Sequence, residues 1–479
     1  MPSIRLRRVI RRLPGHSLIR LAIVVGALAV PAVAQTPNWV GTWATANVAL
    51  PASGETLPAG ANQSPPARLN NQTLRQIVHT SIGGTRVRVA FANTYGTKPL
   101  QLGAAHVALR DKGAAIVAGS GRPLTFGGRM SASIEPGAIL LSDPADLRVP
   151  ALGDLAIDLY LPGDFWGTDS PATMHGTGLT TNYVSAAGNH VGSAALPMET
   201  TIQSWFFLSR VEVEARAGAV VTLGDSITDG TASTPDTNSR WPDFLARRFV
   251  ETWGDKAPGV LNLGIAGNRV LSDNAGMGIF RGRGGVATDA PMPRPDPNAL
   301  FGPSARLRFD RDVLLQPGVT HVIVLESIND IGMALGAAAP TAGEIIAGHR
   351  ALIQRAHARG LTIYGGTLTP FEGALYYTDA GEAKRQAFNE WIRTSGAYDG
   401  VIDFDAAVRD PSHPTRLRPA YDPGDKLHLN DAGYRAMAEA IDLALFARVG
   451  PAATARANRS LIPRTTASLA ASGSSLPIR

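Results

Sequence analysis

There is no cysteine in the 479 residues. That excludes disulfides, thiolate nucleophiles and Cys-ligated metals together, so a folded body has to be held by its core. Aromatic residues are sparse, at 6%. No apolar run reaches the roughly 20 residues that a membrane-spanning helix needs; the most apolar stretch, Leu21 to Val30, is about half that. His79, His106, His175 and His190 are scattered rather than set at ligand spacing, so no metal site and no cofactor are expected.

The formal charge of +6 also fades on inspection. Arg5, Arg7, Arg8, Arg11, Arg12 and Arg20 crowd the first residues, and no lysine or acid accompanies them. Without them the 45 lysines and arginines fall into balance with the 39 acids, and no nucleic-acid surface is implied. A basic head, a short apolar run and Ala32-Val33-Ala34 form the pattern of a cleavable export signal. Cleavage is expected after Ala34, with no membrane span afterwards and delivery to the periplasm or the medium. The expected divisions are a signal peptide over 1–34, a β-sandwich domain over 35–215, a catalytic domain over 216–450 and a disordered tail over 451–479. The tail is rich in Ala, Ser, Thr and Arg and lacks periodicity.

From Trp39 to Val213 short period-2 runs are separated by Gly, Pro, Asn and Asp, the pattern of antiparallel strands in a jelly-roll-like sandwich. Thr85 to Phe91 alternates, and Gly83-Gly84 before it suits a hairpin turn after the strand Leu74 to Thr80. Asp154 to Leu161 is a further strand of this type. After Gly218 the pattern changes to apolar runs alternating with helical faces. Strands are expected at Ala219 to Leu223, Val260 to Leu263, His321 to Leu325, Leu361 to Tyr364 and Val401 to Phe404. Helical faces are carried by Trp241, Phe244, Leu245 and Phe249, by Ile345, Ile346, Leu352 and Ile353, and by Phe388, Trp391 and Ile392, with a last helix over Asp431 to Ala447. This is a three-layer α/β/α domain on a parallel sheet. Ser272 to Pro303, rich in Gly and Pro, reads as either a surface insertion or a substrate-facing lid.

Ligands of open parallel sheets sit beyond the carboxyl ends of the strands, so polar residues there come first. Gly224-Asp225-Ser226 follows the first strand and Asn262 to Asn268 closes the second. Glu326-Ser327-Ile328-Asn329-Asp330 follows the third, and Asp425-Lys426-Leu427-His428 precedes the last helix. Singly, each is also an ordinary turn. Together they supply a hydroxyl, an amide donor, and a histidine with a carboxylate three residues before it, the set that nucleophilic acyl transfer requires. Arg240 and Trp241 read either as a pocket border or as helix-start packing.

The blocks G-D-S-I-T at Gly224 to Thr228, Gly267, Asn329 and D-K-L-H at Asp425 to His428 resemble those of the SGNH, or GDSL, hydrolase superfamily over about Ala219 to Val449. W-V-G-T-W-A at Trp39 to Ala44 resembles the β-rich extension of one bacterial branch. The resemblance implies a flavodoxin-like fold with Ser226 as nucleophile, His428 as general base and acid, and Asp425 as its orienting carboxylate. The N–H groups of Ser226 and Gly267 and the side chain of Asn329 would form the oxyanion hole. Asp225, Asn268, Arg240 and Trp241 are candidates for substrate contact. Ser327 stands where the family usually has glycine. The expected activity is hydrolysis of carboxylic esters, with acetyl groups on carbohydrates favoured. Lipid or aryl esters, acyl transfer on the same residues, and a non-catalytic carbohydrate-binding surface protein are the alternatives. Oligomeric state is not legible.

Overall fold

The computed structural model describes residues 38–50, 69–164, 170–176, 178–273, 301–333 and 339–447. The leader, most of the 272–303 stretch and the 451–479 tail lie outside these residues.

Up to Gly218 the described residues form a β-lobe in which all strand pairs are antiparallel and no helix occurs. One sheet runs in the order Trp39–Ala44, Leu208–Glu214, Val87–Ala92, Ile139–Leu141. A larger one runs Met198–Ile202, Asn182–Ala187, Asn70–His79, Asp154–Asp164, Ala104–Leu109, Arg122–Leu124. A small sheet joins Trp205–Phe206, Ala172–His175 and Val48–Leu50. At the centre of the larger sheet the cross-strand pair Arg75 and Asp158 is fully buried. It forms a fork, Nε to Oδ1 at 2.6 Å and Nη2 to Oδ2 at 2.8 Å, so that both charges are satisfied.

The hairpin expected at Gly83-Gly84 is not formed. Asn70–His79 pairs with Asp154–Asp164 and Asn182–Ala187, whereas Val87–Ala92 pairs with Leu208–Glu214 and Ile139–Leu141. The two glycines instead carry the chain from one sheet to the other through a tight gap. A Cβ on Gly83 would lie 2.6 Å from the Val149 carbonyl oxygen, and one on Gly84 2.6 Å from the Val213 Cβ. Close backbone approach selects glycine here.

In the α/β lobe we number the strands β1 (Ala219–Gly224), β2 (Gly259–Gly264), β3 (Val319–Leu325), β4 (Thr362–Gly366) and β5 (Gly400–Ile402). They form one parallel sheet in the order β2-β1-β3-β4-β5, the flavodoxin-like arrangement. The helices are α1 (Ser226–Asp229), α2 (Trp241–Trp253), α3 (Ala305–Phe309), α4 (Ile328–Gly332), α5 (Ala342–Ala358), α6 (Asp379–Thr394), α7 (Phe404–Val408) and α8 (Asp431–Glu439). Every residue of β1 and β3 is buried, as continuous apolar strands covered on both faces should be.

Two boundaries differ from expectation because an aspartate caps a new turn. Asp403 accepts from the Ala406 N–H and starts α7, so β5 stops at Ile402. Asp442 accepts from the Ala444 N–H and starts a 3₁₀ turn, so α8 stops at Glu439 instead of reaching Ala447. Short polar side chains offer the backbone such an alternative to continued helix.

The two lobes share one continuous apolar core. Trp39–Ala44 lies along β2, with the Gly41 N–H donating to the Pro317 carbonyl at 2.9 Å and the Val260 N–H to Ser81 Oγ at 3.0 Å. Ser81 thereby takes up an edge N–H of β2. Among the described residues no helix is long and apolar enough to cross a membrane.

Candidate active site

Strand register builds the site. Gly224 is paired with Gly264 on one side and Leu325 on the other, so β1, β2 and β3 end at the same level, about 4.8 Å from strand to strand. The segments leaving these three strands therefore stand side by side. Hydrogen bonds tie them together. Ile265 N–H donates to the Gly224 carbonyl at 3.0 Å and Asn329 Nδ2 to the Asn268 carbonyl at 3.0 Å. The buried Asp330 accepts from the Val270 and Leu271 N–H groups at 2.8 and 3.0 Å.

Ser226 opens α1. Asp225 caps that helix, its Oδ1 accepting from the Ile227 N–H at 3.0 Å while its carbonyl takes the N–H groups of Thr228 and Asp229. The Ser226 N–H is left without an acceptor among the described residues. In the Ile265–Asn268 turn the Asn268 N–H bonds the Ile265 carbonyl, and Gly267 has φ +79°. That left-handed third position favours glycine, and a Cβ there would fall 2.3 Å from the Phe301 ring.

The fourth segment reaches Ser226 from across the chain. His428 Nε2 lies 2.8 Å from Ser226 Oγ, and His428 Nδ1 lies 2.5 Å from Asp425 Oδ2. The spacing of the motif explains the pose: Asp425 Oδ1 accepts from the N–H groups of Leu427 and His428 at 3.0 and 2.9 Å, which leaves Oδ2 facing the ring. The carboxylate fixes the proton on Nδ1 and leaves Nε2 to accept from the serine hydroxyl. Burial raises the Asp425 carboxyl, but the hydrogen bond and charge of His428 and the two N–H groups outweigh it and hold it at about 2.

Behind the serine, burial acts the other way. The Asp225 carboxyl is pushed up to about 7 by desolvation, which outweighs its bond from Ile227. Glu326, wholly buried, is raised well above the usual range, again by burial and then by Asp225; neither of its oxygens has a partner among the described residues. The sign for stability follows from proton binding: folded Asp225 holds a proton that the unfolded chain releases near pH 4, so its favourable contribution disappears as pH rises toward 7. Asp225→Asn keeps the cap acceptor and cannot ionise. Urea unfolding of both proteins at pH 5 and pH 8 should show the variant gaining stability relative to wild type at the higher pH.

Ser327 takes φ +105°, the conformation for which glycine is usual. Its hydroxyl accounts for the exception. Ser327 Oγ is 2.9 Å from His349 Nε2, and His349 Nδ1 is 2.5 Å from the Tyr398 hydroxyl, all buried. Burial lowers His349 to about 3, so the ring is neutral and each of its nitrogens meets one hydroxyl. Ser327→Ala keeps the backbone cost and leaves the buried His349 Nε2 without its partner, and should destabilise by about 1–3 kcal/mol. Ser327→Gly relieves the strain and should cost less, read as urea midpoints of the two variants.

The candidates for substrate contact occupy other positions. Trp241 is unexposed and packs on Phe404 with ring centroids 5.3 Å apart. Asn268 is buried, donating to the Phe301 and Pro303 carbonyls and accepting from Arg308. Asp225 is the helix cap. Arg240 bonds the Gly178 carbonyl and lines a cavity between the lobes with Trp43, Trp205 and His175, a cavity whose walls include neither Ser226 nor His428. All four are buried, and Trp241 Nε1 and Arg240 Nε have no hydrogen-bond partner among the described residues.

Two contributors escaped the sequence reading. Arg308, buried on α3, donates to the carbonyls of Gly224 and Leu263 and to Asn268 Oδ1, clasping the ends of β1 and β2. Its signal was an Arg308–Asp312 pair at helical spacing. Tyr376 donates its hydroxyl to Asn329 Oδ1 at 3.3 Å, which fixes the amide orientation. No sequence pattern announced it.

Residues 222–436 match the model of the GDSL-like lipase/acylhydrolase family. This stretch belongs to that family. The match bears out the resemblance in the sequence and supports an ester hydrolase. No curated protein matches it. Among solved structures, it is similar to a lipolytic protein of the G-D-S-L family from Desulfitobacterium hafniense at 18% identity, covering 46% of this chain and 96% of that one with a TM-score of 0.32. A GDSL-like lipase from Bacteroides thetaiotaomicron gives 18% identity, 48% and 87% coverage and a TM-score of 0.33. An acetyl-xylooligosaccharide esterase from Geobacillus gives 18%, 47% and 93%, and 0.33.

Proposed function

We propose that this GDSL-like hydrolase cleaves carboxylic esters through an acyl-enzyme on Ser226. The observation that carries the reading is the hydrogen-bonded line from Ser226 Oγ through His428 to Asp425. Ser226 attacks the ester carbonyl as His428 Nε2 takes its proton. The resulting imidazolium is stabilised by Asp425 and returns the proton to the departing alcohol. Water, activated by the same ring, then releases the acid. In this reading the oxyanion is met by the donors that the family resemblance implies, the N–H groups of Ser226 and Gly267 and the Nδ2 of Asn329.

One Asn329 Nδ2 proton is used on the Asn268 carbonyl, and Tyr376 holds the amide so that the other stays a donor. Asn329→Ala should therefore lower kcat by about 10²-fold to 10³-fold, with KM little changed, in a steady-state assay on a p-nitrophenyl ester.

Short acyl groups, acetyl on carbohydrates first among them, are the proposed substrate class. That class is carried over from the family resemblance; export rests on the basic head, apolar run and Ala32-Val33-Ala34, and the division into a β-sandwich domain over 35–215 and a catalytic domain over 216–450 on the change of sequence pattern after Gly218. The test is release of p-nitrophenol from acetyl to octanoyl p-nitrophenyl esters, and of acetate from an acetylated xylan. Release with a burst matching enzyme concentration is expected. A folded protein that releases nothing from any of them overturns the reading.

A further inference from the structure

His175 belongs to the β-lobe but reaches the back of the hydrolase site. Its Nε2 lies 2.9 Å from Oδ1 of Asp229, the last residue of α1, and its Nδ1 lies 2.8 Å from the Ala46 carbonyl oxygen. Both ring nitrogens are thus engaged, one by each lobe. The side chains of His175 and Asp229 are 4% and 5% exposed, and the Trp205 ring lies 5.8 Å from the imidazole. Both side chains line the cavity between the lobes.

Asp229 in turn holds the second strand's turn. Its Oδ2 accepts from the Ala266 N–H at 3.3 Å, directly before Gly267. The end of α1 also rests on β2: Asn262 Nδ2 donates to the Thr228 carbonyl at 2.8 Å, and a Cβ on Gly264 would lie 2.3 Å from the Asp229 nitrogen. A bond of 3.3 Å restrains weakly unless the acceptor itself is fixed. His175 fixes it, because a buried carboxylate without its partner would turn toward any other donor.

We propose that His175 is a positioning residue of the ester hydrolase: through Asp229 it locks the Ile265–Asn268 turn against the nucleophile turn, so that the β-lobe sets the oxyanion geometry. The inference rests on the proposed role of Gly267. It gives the β-lobe a part in the reaction without contact to substrate.

The test compares His175→Leu with His175→Gln, whose amide retains a donor toward Asp229. Two readouts are taken on each folded protein, steady-state kinetics on p-nitrophenyl acetate and amide hydrogen exchange across 263–269. Displacing a reacting group by about 1 Å costs on the order of 10²-fold, so His175→Leu should lower kcat by about 10-fold to 100-fold with KM within a factor of about 3. The Gln variant should recover most of the loss. Exchange at Ala266 and Gly267 should quicken in the Leu variant and remain near wild type in the Gln variant. A folded Leu variant with wild-type kcat, or equal losses in both variants with exchange unchanged, overturns the proposal. If wild type hydrolyses no ester, the proposed function fails by itself, and the exchange arm alone decides whether His175 holds this turn.

Discussion

Ser226→Ala should abolish ester turnover, with kcat lower by about 10⁶-fold in a protein that unfolds at the same urea concentration as wild type. The size follows from interdependence. Without Oγ there is no acyl-enzyme, and His428 and Asp425 then have no proton to move, so their contribution disappears with that of the nucleophile. What survives is the polarisation of a bound carbonyl by the oxyanion donors, worth about 10³-fold over water in related constellations. Stability should hardly move, because the deleted atom is one hydroxyl at the edge of α1 whose partner, His428, remains fixed by Asp425. Initial-rate assays together with urea unfolding separate lost chemistry from lost fold.

Asp425→Asn should lower kcat by about 10³-fold to 10⁴-fold, for a reason visible in the loop. Asp425 Oδ1 accepts two backbone N–H groups, so the variant's amide is obliged to place its oxygen there and its NH₂ opposite His428 Nδ1. A donor facing Nδ1 selects the tautomer with the proton on Nε2, which cannot take the serine proton. The Asp425 side chain is 46% exposed, so water recovers part of the electrostatic loss and places the effect below that of losing Ser226. Because its carboxyl lies at about 2, wild-type Asp425 stays ionised until pH falls toward 2. The stability it contributes is present above about pH 4 and lost as pH falls through its folded value. Acid loss of activity above pH 3 is then not due to Asp425.

Local chemistry was legible in the sequence and distant chemistry was not. Val319–Leu325 and Ala219–Gly224 are apolar runs because both faces of a central parallel strand are covered, and runs of that kind announce themselves. Asp425 and His428 were readable because three residues suffice for one carboxylate to cap its own loop and face the ring. The family resemblance rests on such local blocks. His175 and Asp229, by contrast, are 54 residues apart, and Arg308 binds Gly224 from 84 residues away. Each looks unremarkable within its own segment. Gly83-Gly84 misled for a related reason: the glycines answer to Val149 and Val213, residues that only the fold brings near. Trp241 beside the first block reads as a pocket border or as helix-start packing, and the amphipathic face of α2 turns it into the core.

The central claim is that Ser226 is a hydroxyl activated by His428. Treating wild type, Ser226→Ala and His428→Ala with a serine-directed phosphonate, and locating the adduct by intact mass and peptide mapping, tests it most directly. One adduct per chain on Ser226 is predicted in wild type, none at that position in Ser226→Ala, and labelling slowed by at least about 10³-fold in His428→Ala. A folded wild-type protein that stays unlabelled, or that carries its adduct on another residue, contradicts the account.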